Sequence, residues 1–591
     1  MCPLLVLGTE WSLESHARAS LWDDRYGWRI ASPNGISVSA ALKKSMANRT
    51  NETYDLFVIG GGINGAAVAC DAAGRGLSVG LAEMRDFAEG TSSRSSKLIH
   101  GGLRYLETYD FKLVREALLE REILMSKAPH LVWPLRLVLP HVPGLRPRWM
   151  VRLGLFLYDH IARRKTLPGS VAVRLDKDPM GAALKDTYRH AFAYSDCRGD
   201  DARLVIANLL GAQLHGADIF PRHRFSSAAR SQGLWRIKFE NVVTGQESVV
   251  HARALVNAAG PWVITVTNDI NGVTTMRRLR MVRGSHIVVP RQWEGSHGYF
   301  LQTRDGRLLE AFPYENDFTS IGTTDEPWDK APEDVAISDG EIDYMIAEIN
   351  RYLKKPIARD DIIWSYSGVR PLFEVGTTRD SNLSTLTRDY SFEIEHDGGE
   401  APVLIIFGGK LTTHRRMAEH ALSELGRFLP MPKEGRTAVE TLPGGDFGDQ
   451  GMAGFGQALG REFAWLPCTQ LRRYVKTYGT RCRALLDGVG SLDDLGLCFG
   501  ADLYQKEVEF LVATEWAMST DDIIWRRTKL GLRLSPKDIE SLANYLTSPE
   551  RIADRALKRT PIVDPTSRRS ADQAASGRKL KAQVKLPPSG R

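Results

Sequence analysis

The chain has 591 residues, 43% of them apolar and 25% charged, the proportions of a globular protein with room for two or more domains. Its formal charge of +7 would point to nucleic acid if it were spread over the body. Seven Lys or Arg against one Asp fall between Thr566 and Arg591, so the body is close to neutral and no nucleic-acid partner is expected. No transmembrane segment is evident, because an apolar run such as Leu131 to Leu139 is too short and is broken by Pro134 and Arg136. The six cysteines, Cys2, Cys70, Cys197, Cys468, Cys482 and Cys498, form no CxxC pair and no metal spacing. They fit a reducing compartment and a protein without a metal site.

Residues 1–53 precede the first strand as an N-terminal extension. With Trp22, Asp23, Asp24 and Trp28 this stretch has neither the basic, acid-poor pattern of a transit peptide nor a signal peptide. It reads either as a lineage-specific extension or as the product of an upstream start codon. The apolar run Leu56 to Ile59 then predicts a buried strand that breaks into Gly60, Gly62 and Gly65 at GxGxxG spacing. Gly60 permits the tight turn, Gly62 lets backbone approach a pyrophosphate, and Gly65 lets the following helix lie against the strand. That helix start, with Ile63 and Asn64, offers free N–H groups to phosphates. Leu77 to Glu83 is a second strand ending in an acid placed to bond a ribose hydroxyl. The βαβ unit therefore predicts a dinucleotide site.

After Arg85 the chain opens into Gly90 to Leu106, a hydroxyl- and glycine-rich loop suited to wrapping a flavin. The run Thr91 to Leu106 closely resembles the flavin-dependent, quinone-linked glycerol-3-phosphate dehydrogenases of bacterial type, in the FAD-dependent D-amino-acid-oxidase-like superfamily. Ser367-Gly-Val-Arg-Pro371, Phe407-Gly-Gly-Lys-Leu-Thr-Thr413 and Glu515 to Thr528 extend the resemblance, which covers roughly Tyr54 to Leu546. No D-x-[DN]-x-[DN]-G loop follows Leu546, unlike the mitochondrial form. The fold it implies is α/β: a Rossmann-like FAD-binding domain, an antiparallel substrate-capping β-sheet and an all-α C-terminal domain. Residues 54–440 would form the oxidoreductase region, with FAD-binding parts near 54–130, 200–265 and 400–430 and the capping sheet near 280–400. Residues 441–560 would be the helical domain, and 561–591 a basic tail too poor in apolar residues to order itself.

The remaining elements follow in order. Phe111 to Ser126 is a helix against the cofactor domain. Arg146 to Lys165 sets six Lys or Arg around Trp149, Met150, Leu153, Leu155, Phe156, Leu157 and Tyr158, a pattern suited to an anionic lipid surface; a core helix with a charged end is the other reading. Ala254 to Gly260 is a strand with a tight exit, where Ala259 and Gly260 would bring backbone to the nucleotide. Ser285–Val289, Gly298–Gln302, Leu308–Phe312 and Ser320–Thr324 alternate as antiparallel strands. Ala401 to Phe407 is the last buried strand before Gly409 and a helix. Arg472 to Leu486, Leu503 to Thr514, Asp521 to Leu530 and Pro536 to Leu546 read as helices, the last begun by Ser535.

The resemblance implies noncovalent FAD held by Gly60, Gly62, Ile63, Asn64, Gly65, Glu83, Thr91, Ser92, Ser96, Lys97, Leu98, His100, Gly101, Gly102, Ala259, Gly260, Gly409, Lys410, Leu411 and Thr412. It implies Arg104, Tyr105, Arg370, Arg388 and Lys410 as substrate-binding residues for the sn-glycerol 3-phosphate dianion. Each of these cations by itself reads first as half of a structural ion pair, and it is the resemblance that moves them to the site. Hydride would pass to the flavin, with His286 as first choice of base and Arg370 stabilising the developing alkoxide; a lone strand histidine is as readily structural. Membrane quinone would receive the electrons, which places the enzyme in the cytoplasm on the inner face of the cell membrane and leaves a homodimer open. A glycerol-3-phosphate oxidase using oxygen shares nearly all these motifs. A non-catalytic or RNA-modifying flavoprotein is disfavoured by the location of the basic charge.

Overall fold

The computed structural model describes residues 53–107, 109–142, 147–162, 164–373, 389–396, 400–432 and 435–548. The N-terminal extension, Arg146, Arg163, Arg388 and the basic tail lie outside the described residues.

The first sheet is built on the strand Thr53–Ile59, which pairs in parallel with Val79–Glu83 on one side and Glu247–Asn257 on the other. Asp218–Pro221 and Val403–Gly408 extend it in the same sense. Parallel strands need both faces covered, and their near-continuous apolar sequence reflects that. On one face the helices Ile63–Gly74, Asp201–Leu214 and His414–Leu425 pack in one core with Val58, Leu81, Val256 and Leu404. The helix Ile63–Gly74 comes so close that a Cβ at Gly65 would overlap the Gly60 carbonyl. On the other face Phe57, Trp235, Phe239 and Val263 form a second core. All three chain returns expected at the cofactor thus end on neighbouring strands of one sheet.

The second sheet runs from Glu326–Pro327 through Leu279–Pro290, Phe318–Gly322, Leu308–Tyr314 and Gly298–Gln302 to Val132–Pro140, His190–Gly199 and Leu98–Ile99, with Trp364–Phe373 also on Leu279–Pro290. It is not confined to the expected stretch of 280–400. Leu137 and Val138 pair in parallel with Gly298 and Tyr299, which draws two long strands from earlier in the chain into the sheet. Conversely Tyr390–Glu395 leaves it and pairs antiparallel with Val403–Gly408 in the first sheet. The first departure comes from pairing between segments far apart in sequence and the second from a local hairpin onto a strand of the other sheet; alternation within a segment encodes neither.

The C-terminal region is helical, with a core of its own around Leu459, Tyr474, Leu485, Leu511 and Leu542. The helix expected over 472–486 is two pieces, Cys468–Tyr478 and Cys482–Leu485. They part at Gly479, where φ is +58° and an added Cβ would overlap the Gly444 carbonyl. Asp522–Arg527 is a π-helical turn. Pro536–Thr547 starts on Ser535, whose hydroxyl and Asp538 form a capping box.

Candidate active site

The glycine turn after the first strand is a cradle. Gly60 sits at φ +107°, and a Cβ there would meet the Ala258 carbonyl oxygen at 2.6 Å. The first strand's exit is thereby pressed against the exit carrying Ala259 and Gly260. A Cβ at Gly62 would lie 3.1 Å from Ser92 Oγ, and that hydroxyl accepts the Ile63 N–H at 3.0 Å. Asn64 donates to the Gly408 carbonyl at 3.0 Å, tying the helix start to the third return beside Gly409, which is itself at φ +100°. Glu83 accepts the Gly61 N–H at 2.7 Å and the Arg85 N–H at 2.8 Å. Burial pushes its carboxyl up while the two amides pull it back.

The loop after Gly90 is stitched to the capping sheet. Thr91 donates to the Val369 carbonyl at 2.6 Å and Arg94 to the Ser367 carbonyl at 3.0 Å. The His100 N–H reaches the Thr412 hydroxyl at 3.2 Å. Lys97 faces elsewhere: its ammonium bonds both Asp201 oxygens at 2.9 Å and lies over the Tyr366 ring. Leu98 is buried in a strand beside Arg198, and Leu411 packs on the core beneath. Lys410 Nζ sits 4.0 Å from the centre of the Tyr105 ring, so two expected substrate residues meet. Arg104 is in the same 3₁₀ turn, Leu103–Leu106.

Above this floor the capping sheet presents one face. Arg370 is opposite Val282, Tyr366 opposite His286, and Gly322 lies between His286 and Glu310 in register. Cross-strand partners share a face, so Arg370, Tyr366, His286 and Glu310 point the same way. Gly322 makes room, since a Cβ there would overlap the His286 ring. Ser96 of the loop bridges the two layers: its hydroxyl is 3.1 Å from His286 Nε2 and favours the ionised form of the Glu310 carboxyl. His286 stacks on Tyr366 at 4.6 Å between centroids. Arg370 pairs with Asp325 and donates to Thr323 Oγ1 at 2.9 Å.

The electrostatics of the pair are unequal. Burial, then Arg370 and Lys97, hold the His286 imidazole well below its usual range, so it is neutral at working pH. Burial pushes Glu310 up to about 7, although Ser96 and Arg370 pull it back. Glu310 was not among the residues singled out in the sequence; its strand reads as ordinary alternation, and only the register with Gly322 and His286 brings it to the site.

The oxidoreductase reading is decided by comparison with known proteins. Residues 55–415 match the family described as FAD dependent oxidoreductase. The chain belongs to that family. This FAD dependent oxidoreductase is 49% identical over 497 residues to a glycerol-3-phosphate dehydrogenase of Pseudomonas aeruginosa, covering 84% of this chain and 96% of that one. It is 47% identical over 502 residues to a D-erythritol 1-phosphate dehydrogenase of Brucella abortus, covering 85% and 99%. The structure of a glycerol-3-phosphate dehydrogenase from Bacillus halodurans complexed with FAD matches at a TM-score of 0.67 and 26% identity, over 92% of this chain and 99% of that one.

FAD is the cofactor of this oxidoreductase, and the residues present fit it. At Gly60 and Gly65 the glycine cradle leaves no room for a side chain. Asn64 Oδ1, Thr413 Oγ1 and Lys410 Nζ on this floor and His286 Nδ1 on the sheet above it are buried without a hydrogen-bond partner, polar atoms that a polar ligand would satisfy.

Proposed function

We propose that this protein oxidises sn-glycerol 3-phosphate to dihydroxyacetone phosphate and delivers the electrons to a membrane quinone. One observation carries the chemistry: the sheet face bearing Arg370, His286 and Glu310 closes over the flavin loop at Ser96. FAD, when bound, supplies the hydride acceptor. Arg104 and Lys410 provide cations on the loop side for the phosphate dianion, and Arg370 faces the carbinol oxygen from the sheet. Glu310, held near neutrality, takes the hydroxyl proton. His286, kept neutral, orients Ser96 between them. The relatives' names support this substrate class, since glycerol 3-phosphate and erythritol 1-phosphate are both polyol phosphate monoesters.

The deciding experiment is anaerobic. The yellow purified enzyme should bleach with sn-glycerol 3-phosphate and remain yellow with unphosphorylated glycerol. Faster bleaching by D-erythritol 1-phosphate would reassign the substrate, and no bleaching by either would refute the reading. Rapid reoxidation by oxygen in place of quinone would make the enzyme an oxidase. Arg370→Ala should lower kcat/KM about a hundredfold, corresponding to roughly 3 kcal/mol of lost charge-assisted bonding. An unchanged ratio removes Arg370 from the reaction.

The route to quinone passes through the helix Arg148–His160. Among the described residues no helix is long and apolar enough to cross a membrane. This one nevertheless leaves Trp149 67% exposed and Leu153 and Phe156 each 50% exposed, beside exposed Arg148 and Arg152. An apolar face rimmed by cations suits the inner face of the cell membrane, where anionic headgroups attract each cation by about 1 kcal/mol. The enzyme should therefore sediment with anionic liposomes. Leu153→Glu with Phe156→Glu should abolish sedimentation and leave bleaching by substrate intact. If the double variant still sediments and deletion of Thr566 to Arg591 releases it, the tail is the anchor.

A further inference from the structure

The outward helix Arg148–His160 is fastened to the body by an apolar inner face and by Arg152 and Asp159, which both bond Ser170. Leu155 and Tyr158 are its buried residues. Tyr158 is 2% exposed, and its hydroxyl does not end in the helix's own neighbourhood. It accepts the Gly101 N–H at 2.8 Å and is 2.8 and 2.9 Å from the two oxygens of Asp196. Gly101 N also lies 3.4 Å from Asp196 Oδ1. Asp196 is fixed in turn by Arg121 at 2.7 Å, and both are 1% exposed.

A phenol has one proton and lone pairs to accept with. Here the proton goes to Asp196 and a lone pair takes the Gly101 amide, so the hydroxyl cannot rotate without stranding a buried group. The fit is close as well as polar. A Cβ at Gly101 would lie 2.7 Å from the Tyr158 hydroxyl oxygen and 2.5 Å from Leu118 Cδ2; a glycine stands where Tyr158 arrives.

Gly101 is not a neutral place to attach. On one side is His100, whose amide is tied to Thr412. On the other is Gly102 at φ +72°, which turns the chain into the 3₁₀ segment bearing Arg104 and Tyr105. Displacing Gly101 would therefore shift the floor of the site and both loop-side substrate residues together.

We propose that Tyr158 is a positioning residue: from the outward helix it sets the location of Gly101, and through it the placement of Arg104 and Tyr105 against substrate. This rests on the reading of His100 to Tyr105 as the flavin and substrate loop. The simpler possibility is that the buried cluster only pins the helix, and the two make different predictions.

Tyr158→Phe keeps the ring, which packs edge-on to Tyr194 at 5.9 Å, and removes only the hydroxyl. In the holoenzyme, KM for sn-glycerol 3-phosphate should rise about five- to tenfold, the effect of one hydrogen bond, with kcat changed less than about twofold on the same scale. The visible flavin bands of the oxidised, substrate-free enzyme should shift relative to wild type. Leu155→Ala, which loosens the same helix without touching the polar cluster but thins the core that Tyr105 packs against, should lower Tm, raise KM less than Tyr158→Phe does, and leave the flavin bands unchanged. If Tyr158→Phe lowers Tm with KM, kcat and flavin bands all as in wild type, the cluster is only a pin and the proposal falls. If Leu155→Ala raises KM to the same extent, the effect belongs to helix docking in general and the proposal falls as well. Should Tyr158→Phe fail to fold, Asp196→Asn, which keeps the size and one acceptor, is expected to show the same KM rise in weaker form, and an unchanged KM there overturns the proposal. If wild type is not bleached by sn-glycerol 3-phosphate, the functional reading fails by itself, and the comparison of flavin bands still judges Tyr158.

Discussion

Glu310→Gln is expected to lower kcat for sn-glycerol 3-phosphate about a thousandfold, within the usual range for removing a positioned general base. The carboxyl is buried and pushed up to about 7, so near neutral pH it exists in both forms, and kcat/KM should rise with pH through that value as the carboxylate appears. Its oxygen Oε2 is buried without a partner, which leaves one oxygen to meet a substrate hydroxyl. Gln is nearly isosteric and keeps the bond to Ser96 but cannot take a proton. The variant should therefore bind flavin and substrate normally while the ascending limb of its pH profile disappears. His286→Asn should be the milder change, since burial and two cations keep that imidazole neutral and its contribution is the bond to Ser96. If Glu310→Gln retains the wild-type pH profile and His286→Asn loses it, the roles are reversed and the histidine is the base.

What the sequence disclosed and what it hid divide along a physical line. The glycines at 60 and 65 were legible because each serves a local demand, a turn or a close approach, that no other residue meets. The strand Leu308–Tyr314 was legible because its alternation is local as well. Glu310 was not, since nothing in Leu308 to Tyr314 marks one acid among alternating residues. Its meaning arises from pairing opposite Gly322, which in turn lies opposite His286. The strands Val132–Pro140 and His190–Gly199 joined the capping sheet through the same kind of long-range register. Lys97 shows what a motif does not encode: it sits inside the flavin loop, and its charge is paired with Asp201, more than a hundred residues away. For Arg370 the sequence left both a substrate contact and an ion pair open, and could not name the partner: Asp325, 45 residues away, lies beside the guanidinium.

The motif Glu515 to Thr528, which the resemblance singled out without a role, holds the helical region to the flavin domain, and breaking it should cost more stability than any surface change. Glu515 is fully buried and pairs with Arg203 of the helix Asp201–Leu214 and with Arg481. Its backbone carbonyl accepts from Arg527 at 2.7 Å. Arg527 reaches across to both oxygens of Asp86, at 2.7 and 2.8 Å, just beyond the Glu83 strand. Asp522 adds Arg222 at 2.8 Å. Glu515→Ala would leave Arg203 and Arg481 without their carboxylate, and uncompensated buried charge typically costs about 3–5 kcal/mol. Unfolding by urea should show that loss, together with separation of the transition into two if the helical region comes away first. The pH dependence has a definite sign. Burial pushes the Glu515 carboxyl up, but Arg203 and Arg481 more than offset this and take it down to about 2, from 4.5 when unfolded. A depressed carboxyl stabilises the folded state fully above its unfolded value and loses that contribution as pH falls toward the folded one. The wild-type Tm should thus hold above pH 4.5 and fall steeply between there and 2, whereas Glu515→Ala should start lower and fall less over that window. Equal slopes in the two proteins would show that acid unfolding begins elsewhere and that this network is not what joins the two regions.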